Sequence, residues 1–470
     1  MLKFNDFGRV EELATPFWYY DMDVFRKTVK LAASLSERYG IGAHYALKAN
    51  VEPRLVSYIA SKGFGADCVS GNEVKYAVES GFARSSIVFA GVGKSDKEIS
   101  DALDLGIGCF NVESLMEMQV IDALAASKGV RANVSLRINP NIDAHTHRYV
   151  TTGLYENKFG ISRHEFEAAI DILKGSKALD FKGLHFHIGS QITDVEPVYS
   201  LECERAAEIV EWFEAHGMEV GSIDLGGGLG VDYDEPDENP VPDFEKWFSI
   251  IDRKLRRRPE QSVSIEPGRS MVAQCGSLIT RVLFVKSGET KTFLIMDAGM
   301  NDLIRPALYG AYHKIENLSA YYARTESAES EDLTRHHQMP GRSWRAGEPC
   351  GDGKPVGRDR PLEKGVGGIE TRHHQMPAGE QRSGGLALGC ARRPDRPLEK
   401  GVQGGLRLYD VVGPVCESSD VWGEGRELPY SKRGDILAIR STGAYGSVMS
   451  SRYNLRDLAP AVFSDDMKLK

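Results

Sequence analysis

Residues 42–50 read Gly-Ala-His-Tyr-Ala-Leu-Lys-Ala-Asn, a short β-type run that ends in a lysine. A segment of helical period follows, and this alternation of β-rich runs with longer helical segments continues along the chain. The runs lie at 42–47, 65–69, 87–91, 106–112, 132–138, 181–188, 221–225 and 262–266. Eight parallel strands joined by crossover helices predict a closed TIM-like (β/α)8 barrel in an α/β protein.

The alternation of β-rich and helical segments ends after residue 269. Further β-rich runs lie at 278–285, 292–296, 408–412 and 435–439, without regular helices between them. They predict a second, mostly antiparallel β domain, to which the aromatic run 16–20 contributes the first strand. We therefore expect a barrel over residues 26–275 and a discontinuous β-rich domain over residues 1–25 and 276–470.

The segment 324–406 fits neither pattern. Residues 334–366 and 371–402 are imperfect copies that both open with Thr-Arg-His-His-Gln-Met-Pro and close with Arg-Pro-Leu-Glu-Lys-Gly-Val. Sequence rich in Gly, Pro and Arg buries little apolar surface, so we interpret this segment as a flexible insertion. Its paired histidines, with Cys350 and Cys390, leave a zinc site as the alternative. A duplicated loop is the simpler interpretation, and we expect no metal.

Composition narrows the class of partner. The chain has 470 residues, 41% hydrophobic and 27% charged, which is enough for the cores of two domains. Its net charge of -9 disfavours nucleic acid or an anionic membrane as partner, because both require a concentrated basic face. The 7 cysteines show no CxxC spacing, and residues 1–12 lack the uncharged core of a signal peptide. These features predict a cytoplasmic protein that acts on a small molecule.

Lys48 ends the first predicted strand. Barrel enzymes carry their reactive groups at the carboxyl ends of the strands, so we expect Lys48 at the catalytic rim. Apolar neighbours can depress the pKa of a lysine and free its amine to attack an aldehyde. We therefore interpret Lys48 as a Schiff-base residue. A surface lysine that merely terminates a strand is the alternative that this residue alone leaves open.

Glycine-rich turns end the seventh and eighth predicted strands. They read Asp-Leu-Gly-Gly-Gly-Leu-Gly at 224–230 and Glu-Pro-Gly-Arg at 266–269. Bare backbone N–H groups can approach an anion closely, and the loops after strands seven and eight commonly bind phosphate in this fold. The glycines concerned are Gly226, Gly227, Gly228 and Gly268. A tight strand-to-helix turn is the alternative. Glu266, at the same rim, could hold a protonated pyridine nitrogen.

The sixth predicted strand ends in His-Phe-His-Ile-Gly-Ser-Gln at 185–191. Side-chain alternation places both histidines on one face, with His187 nearer the rim. His187 could stack on a flat cofactor ring and Ser190 could donate to a phosphate. A packed, hydrogen-bonded histidine is the ordinary alternative, and we treat His185 as structural.

Four motifs occur in a characteristic order: Tyr-Ala-Leu-Lys-Ala-Asn, His-Ile-Gly-Ser-Gln, Gly-Gly-Gly and Glu-Pro-Gly-Arg. In this order they resemble the fold-type III, alanine-racemase-like pyridoxal-phosphate enzymes. Within that group, residues 297–309 and the run Cys-Glu-Ser-Ser-Asp at 416–420 resemble the diaminopimelate decarboxylase family. The matches span nearly all of the chain except 324–406.

The resemblance implies pyridoxal 5'-phosphate as cofactor, with Lys48 attached to it, His187 stacked on its ring and Glu266 at its nitrogen. It also implies a larger set of cofactor-binding residues, mainly around the phosphate: Ser190, Gly226, Gly227, Gly228, Gly268, Arg269 and Tyr445. The implied substrate-binding residues are Arg269, Arg305 and Tyr309 for the far carboxylate, Glu417 for the far amino group, and also Tyr445. Cys416 would work beside the reacting carbon.

The implied reaction is the decarboxylation of meso-2,6-diaminopimelate to L-lysine and carbon dioxide, the last step of lysine biosynthesis. In similar enzymes Cys416 and Tyr445 reach the neighbouring subunit's site, which implies a homodimer with shared active sites. Two alternatives stay open: another fold-type III decarboxylase, acting on ornithine, arginine or carboxynorspermidine, and a non-catalytic protein that binds pyridoxal phosphate. The insertion between Arg305 and Cys416 could impair the enzyme or be harmless.

Overall fold

The computed structural model describes residues 7–140, 142, 158–325 and 405–467. Strand β1 (Phe17–Tyr20) belongs to a second sheet, and the next eight strands close a parallel barrel in sequence order, the first pairing with the last. The barrel strands are β2 (Ile41–Ala46), β3 (Gly65–Cys68), β4 (Ile87–Phe89), β5 (Cys109–Val112), β6 (Ala132–Arg137), β7 (Leu179–His185), β8 (Ser222–Asp224) and β9 (Ser262–Ile265). Each overlaps one of the predicted runs, so the predicted barrel is confirmed.

Helices cover the outside of the barrel. The first helix, α1 (Phe7–Glu12), instead packs its Val10 against Phe17 and Ile279 of the second domain. Those in the barrel half are α2 (Met22–Tyr39), α3 (Pro53–Ala60), α4 (Gly71–Glu79), α5 (Asp96–Leu105), α6 (Leu115–Lys128), α7 (Phe166–Gly175), α8 (Val195–Ala215), α9 (Phe244–Lys254) and α10 (Arg269–Val272). The first barrel helix, α2, begins where the Asp21 carboxylate accepts from the N–H groups of Asp23 and Val24. It starts at Met22, ahead of the boundary expected at residue 26.

The second domain is a mostly antiparallel sheet, as predicted. Its strands are β1, β10 (Gly276–Ser287), β11 (Thr292–Met296), β12 (Ile315–Asn317), β13 (Leu406–Val412), β14 (Val421–Pro429), β15 (Ile436–Ile439) and β16 (Ala461–Phe463). They run in the order β12-β15-β10-β11-β13-β14, with β1 paired to β10 and β16. Besides α1, three short helices accompany it: α11 (Arg305–Tyr309), α12 (318–325) and α13 (Ser464–Met467). The aromatic run therefore supplies a strand to this sheet, with Phe17 opposite Ile279.

A turn of the second domain is fastened to the barrel beside Lys48. Asn50 donates through its side chain to the carbonyl of Gly443 at 2.7 Å and to the Tyr20 hydroxyl at 3.0 Å. The Tyr445 N–H donates to the carbonyl of Ala49 at 2.8 Å. A Cβ at Gly443 would lie 1.9 Å from the Val272 carbonyl oxygen, so only glycine permits this approach.

The proposed flexible insertion lies outside the described residues, apart from its first and last few positions. Across the described part of the chain, no helix combines the length and apolarity needed to cross a membrane.

Close strand packing gives a first prediction. Gly183 of β7 faces Ser222 of β8, and a Cβ there would lie 1.9 Å from the Ser222 carbonyl oxygen. Gly183→Ala must therefore push two barrel strands apart, at a cost on the order of 1–3 kcal/mol. Thermal unfolding should show a clearly lowered melting temperature. Gly42→Ala is the matched control, because its Cβ would meet Ser264 and Val263 atoms at 3.6 Å. Equal losses in the two variants would contradict the prediction.

Candidate active site

A cavity of about 1230 Å³ opens at the carboxyl rim of the barrel. Barrel strand ends and the loops after them provide one wall, including Lys48, Asp67 and Glu266. The second domain provides Arg305 and other residues, among them Tyr309 and Tyr445. The cavity therefore brings together most of the predicted site residues.

Lys48 lies in a single helical turn directly after β2, and its Nζ is 3.4 Å from an Asp67 carboxylate oxygen. Its side chain is 38% exposed because it protrudes into the cavity, whereas Asp67 is 1% exposed. Burial within the protein lowers the pKa of Lys48, but Asp67, Tyr445 and Glu266 outweigh burial and raise it overall. The expected depression of this pKa is therefore wrong, because acidic groups, and not only apolar ones, surround the amine.

Glu266, directly after β9, is buried and takes part in two side-chain hydrogen bonds. Its Oε2 lies 3.1 Å from His185 Nε2, and its Oε1 accepts from Asn111 at 3.4 Å. Burial, followed by the nearby Asp67, raises the pKa of Glu266 well above its usual range. Burial lowers the pKa of His185 to about 4, so its neutral ring can donate to Glu266. His185, which sequence analysis treated as structural, thus contacts a predicted site residue.

Asp224 completes a buried cluster with His185 and Glu266. One carboxylate oxygen of each acid and one ring nitrogen of His185 lie within 4.8 Å of one another. Burial, followed by Glu266, raises the pKa of Asp224 to about 6. Its Oδ1 accepts from the Gly226 N–H at 2.8 Å, so the cluster is tied to the start of the glycine-rich turn. Hydrogen bonds within the protein therefore already use one oxygen of Asp224 and the Nε2 of His185.

The glycine-rich turn is held by close backbone contacts. A Cβ at Gly227 would lie 2.2 Å from the Glu266 carbonyl oxygen, and one at Gly228 would lie 2.8 Å from that of Gly189. Gly226 and Gly228 also have φ of 65° and 112°, which favour glycine. These contacts bring the loops after β7, β8 and β9 together, as the phosphate hypothesis requires.

Three predicted residues border this turn. His187 accepts the Gly227 N–H through Nδ1 at 3.2 Å, and burial keeps its pKa well below the usual range, so its ring is neutral. Ser190 accepts from Arg269 Nε at 3.2 Å and Nη2 at 2.9 Å. A Cβ at Gly268 would lie 3.1 Å from the Ala46 Cβ and 3.5 Å from the Tyr445 hydroxyl. A backbone cradle beside a hydroxyl and a guanidinium suits a phosphate.

Two buried arginines line the cavity. Arg269 is 5% exposed and Arg305 7% exposed. Within the described ranges, neither guanidinium has a carboxylate at ion-pair distance. Both instead donate to the Tyr233 hydroxyl, and Arg305 also contacts the ring of His313. An unpaired buried cation is costly, so this pair is suited to an anionic ligand.

Several residues of the cavity were not predicted from the sequence. Arg137, at the end of β6, donates to Glu113 at 2.7 Å and lies over the Phe159 ring. Tyr233 follows the glycine-rich turn by a few residues, and Asp67 lies in β3. A polar residue at a strand end was the available signal for Arg137 and Asp67, whereas nothing in the sequence places Tyr233 between two arginines.

Cys416 and Glu417 do not reach the cavity of their own chain. Both are exposed in the loop after β13, where the Cys416 N–H donates to Asn454 Oδ1 at 2.9 Å. Tyr445, by contrast, lines the same cavity as Lys48. The expectation that Tyr445 reaches a neighbouring subunit is therefore wrong, because the Tyr445 N–H is hydrogen-bonded to the barrel backbone at Ala49.

The amine, the buried carboxyl group and the anion cradle at one barrel mouth fit pyridoxal phosphate, with its aldehyde, ring nitrogen and phosphate. Residues 23–273 match the family model described as the pyridoxal binding domain of pyridoxal-dependent decarboxylases. Residues 372–443 match the C-terminal sheet domain of the same enzymes. Fold, site and both matches thus define the class as pyridoxal-dependent decarboxylases.

Similar proteins identify the family within this class. A diaminopimelate decarboxylase of Bacteroides thetaiotaomicron is 42% identical, with 97% of each chain covered. The crystal structure of the Helicobacter pylori diaminopimelate decarboxylase complexed with L-lysine has a TM-score of 0.74 and 34% identity, covering 97% of this chain and 94% of its own. The corresponding M. jannaschii complex has a TM-score of 0.72 and 28% identity, with 97% and 88% covered. The chain belongs to the diaminopimelate decarboxylase family.

The raised pKa of Asp224 generates a prediction about stability. The folded state binds this proton with a pKa of about 6, whereas an unfolded aspartate has one of about 3.9. The stability gained from protonation is complete below about pH 4 and is lost as the pH rises through about 6. Asparagine does not ionise and can still accept from Gly226. Asp224→Asn should therefore be more stable than the wild type at pH 8, by on the order of 3 kcal/mol.

Melting temperatures of the cofactor-free proteins from pH 5 to pH 8 test this expectation. The advantage of Asp224→Asn should shrink steadily below pH 6. Asp104→Asn, at an exposed carboxylate paired with Lys128, is the control and should gain nothing at high pH. A constant difference across the pH range would show that the carboxyl of Asp224 does not titrate in this window.

Proposed function

We propose that this protein decarboxylates meso-2,6-diaminopimelate to L-lysine and carbon dioxide, with pyridoxal phosphate as cofactor, in the last step of lysine biosynthesis. The observation that carries the choice of substrate is the pair of buried arginines, Arg269 and Arg305, without a carboxylate partner in the described chain. Relatives named for this activity, one of them crystallised with L-lysine, support it.

The cofactor would be held from three sides. Lys48 would attach it, His187 would pack against its ring, and Glu266 would hold the proton on its nitrogen. The phosphate would be bound by the turn and its neighbours: Ser190, Gly226, Gly227, Gly228, Gly268, Arg269 and Tyr445. When bound, pyridoxal phosphate supplies a conjugated ring that accepts the electron pair left on carbon as carbon dioxide departs.

The protein's own groups would then bind and orient the substrate. Arg269 and Arg305, with Tyr309, would bind the carboxylate at the end that does not react. The cationic amine of Lys48 beside Asp67 can deliver a proton at the cavity wall, and the neutral amine can accept one. An ornithine molecule would leave the arginine pair without its anion, a cost that selects against shorter diamino acids without a second carboxylate. A lysine/ornithine decarboxylase from Vibrio vulnificus is only 20% identical, so its likeness shows the fold alone.

We also propose that the active unit is a homodimer. Cys416, implied beside the reacting carbon, and Glu417, implied at the far amino group, are exposed and outside their own cavity. They can fulfil those roles only in a second copy. Apolar Leu455 is 95% exposed in the loop whose Asn454 accepts a hydrogen bond from the Cys416 backbone, which suits a surface covered by that copy.

The cysteines suit a cytoplasmic location. The thiols of Cys68, Cys109, Cys203, Cys275 and Cys416 are free, as expected in a reducing compartment.

Release of carbon dioxide tests the reaction. We expect turnover with meso-diaminopimelate and at most traces with ornithine, arginine or carboxynorspermidine. Lys48→Ala should abolish turnover, and borohydride treatment should add the mass of the cofactor to the peptide containing residue 48 in the wild type but not in Lys48→Ala. Lys75→Ala, which removes a surface ion pair with Asp101, is the control and should behave as wild type. Preferred release from ornithine, or a fully active Lys48→Ala, would refute the proposal.

Mixing inactive variants tests the shared site. In a heterodimer of Lys48→Ala and Cys416→Ala chains, one of two sites keeps both residues. Random co-assembly should therefore restore about a quarter of the wild-type activity, whereas each variant alone stays far lower. A mixture no more active than the better parent would contradict shared sites. A mixture of Lys48→Ala and Lys48→Arg chains is the control and should recover no activity, because no site in any of its dimers contains Lys48.

A further inference from the structure

Tyr233 lies between the two unpaired arginines. Its hydroxyl oxygen accepts from Arg269 Nη1 at 2.6 Å and from Arg305 Nη1 at 3.2 Å. Two like charges repel each other, and here one oxygen draws both guanidinium groups towards a common point. Burial raises the pKa of Tyr233, but the two arginines outweigh burial and lower it overall, as expected for an oxygen that serves as an acceptor.

Arg305 is fixed from a second direction by His313. The His313 Nε2 lies 2.8 Å from Arg305 Nη1, and its Nδ1 lies 2.9 Å from the carbonyl of Arg440. Burial lowers the pKa of His313 to about 3, so the ring is neutral, with Nδ1 as donor and Nε2 as acceptor. The ring also meets Tyr233 edge to face at 5.1 Å. Tyr233 and His313 therefore hold Arg305 without neutralising it.

Arg269 is oriented in a similar way by neutral acceptors. Its Nε and Nη2 donate to the Ser190 hydroxyl while its Nη1 donates to Tyr233. The guanidinium also lies over the Tyr445 ring, 4.9 Å from its centre. Both arginines thus keep a full positive charge, a fixed direction and no acidic partner within the part of the chain that the structure describes.

We propose that Tyr233 is a specificity-determining positioning residue, which holds Arg269 and Arg305 together as one receptor for the substrate's far carboxylate. This inference rests on the proposed function. Without the oxygen, the guanidinium groups can separate, and a carboxylate then gains fewer simultaneous hydrogen bonds. A ligand that has no carboxylate does not use the receptor and should not sense the change.

Tyr233→Phe separates these cases because it removes only the oxygen. L-lysine keeps the far carboxylate of diaminopimelate, whereas 1,5-diaminopentane has the same amines and no carboxylate. In the holoenzyme, Tyr233→Phe should raise the Kd of L-lysine, measured by calorimetry, about tenfold and leave that of 1,5-diaminopentane within about twofold. The KM for diaminopimelate should rise by a similar factor while kcat changes little.

Tyr76→Phe is the matched control, because it also removes one hydroxyl hydrogen bond, to the Val51 carbonyl at 2.8 Å, but outside the cavity lining. Tyr76→Phe should change neither the ratio of the Kd values of L-lysine and 1,5-diaminopentane nor the KM for diaminopimelate. A double-mutant cycle with Arg305→Lys adds a second measurement, in which the effects on L-lysine binding should be less than additive.

An unchanged ratio of L-lysine to 1,5-diaminopentane affinity in a folded Tyr233→Phe enzyme would overturn this inference and leave the proposed function intact. Additive effects in the cycle would overturn it too. A wild-type enzyme that neither binds L-lysine nor decarboxylates diaminopimelate would instead refute the proposed function itself.

Discussion

The pairing of β2 with β9 is the contact on which the site depends, because it closes the barrel and aligns the ends of its first and last strands. Ala43 lies opposite Ile265, and the Ala46 N–H donates to the carbonyl of Pro267 at 3.2 Å. The residues that follow, Lys48 and Glu266, therefore emerge at the same rim. A register shift by one residue would turn every side chain of the shifted strand to the other face of the barrel wall and separate this pair from the cavity.

Closure also concentrates charge where water is scarce. Lys48 faces Asp67, Glu266 faces His185 and Asp224, and Arg137 faces Glu113. Burial and neighbouring charges shift the pKa values of Lys48, His185, Asp224 and Glu266, so these four groups do not titrate as independent acids and bases. The turn at 442–446 of the second domain covers these groups, since the Tyr445 N–H is bonded to Ala49. The sheet domain is thus part of the site and not an appendage.

The fold could be predicted further than the site. Barrel strands are buried on both faces, so β-rich runs such as 132–138 are visible in the sequence, and their number gives the closed barrel. The glycine turn was visible because side chains are missing from it. Asp67 offered only the signal of a polar residue at a strand end and Tyr233 offered none, since their roles come from neighbours distant in sequence. The chain position of Cys416 was also known, yet sequence does not show that its loop lies away from its own cavity.

The prediction of a depressed pKa for Lys48 was wrong for a related reason. Burial alone would lower it, but a parallel barrel packs adjacent strand ends within hydrogen-bonding distance, and Asp67 of β3 is the neighbour of the β2 end. The same geometry could have paired Arg269 and Arg305 with acidic side chains. In the described chain, however, the two arginines donate to uncharged acceptors, which are Ser190, Tyr233 and His313. Stability would favour a carboxylate at that place. An uncompensated pair is the arrangement that leaves the place for a carboxylate carried by a ligand.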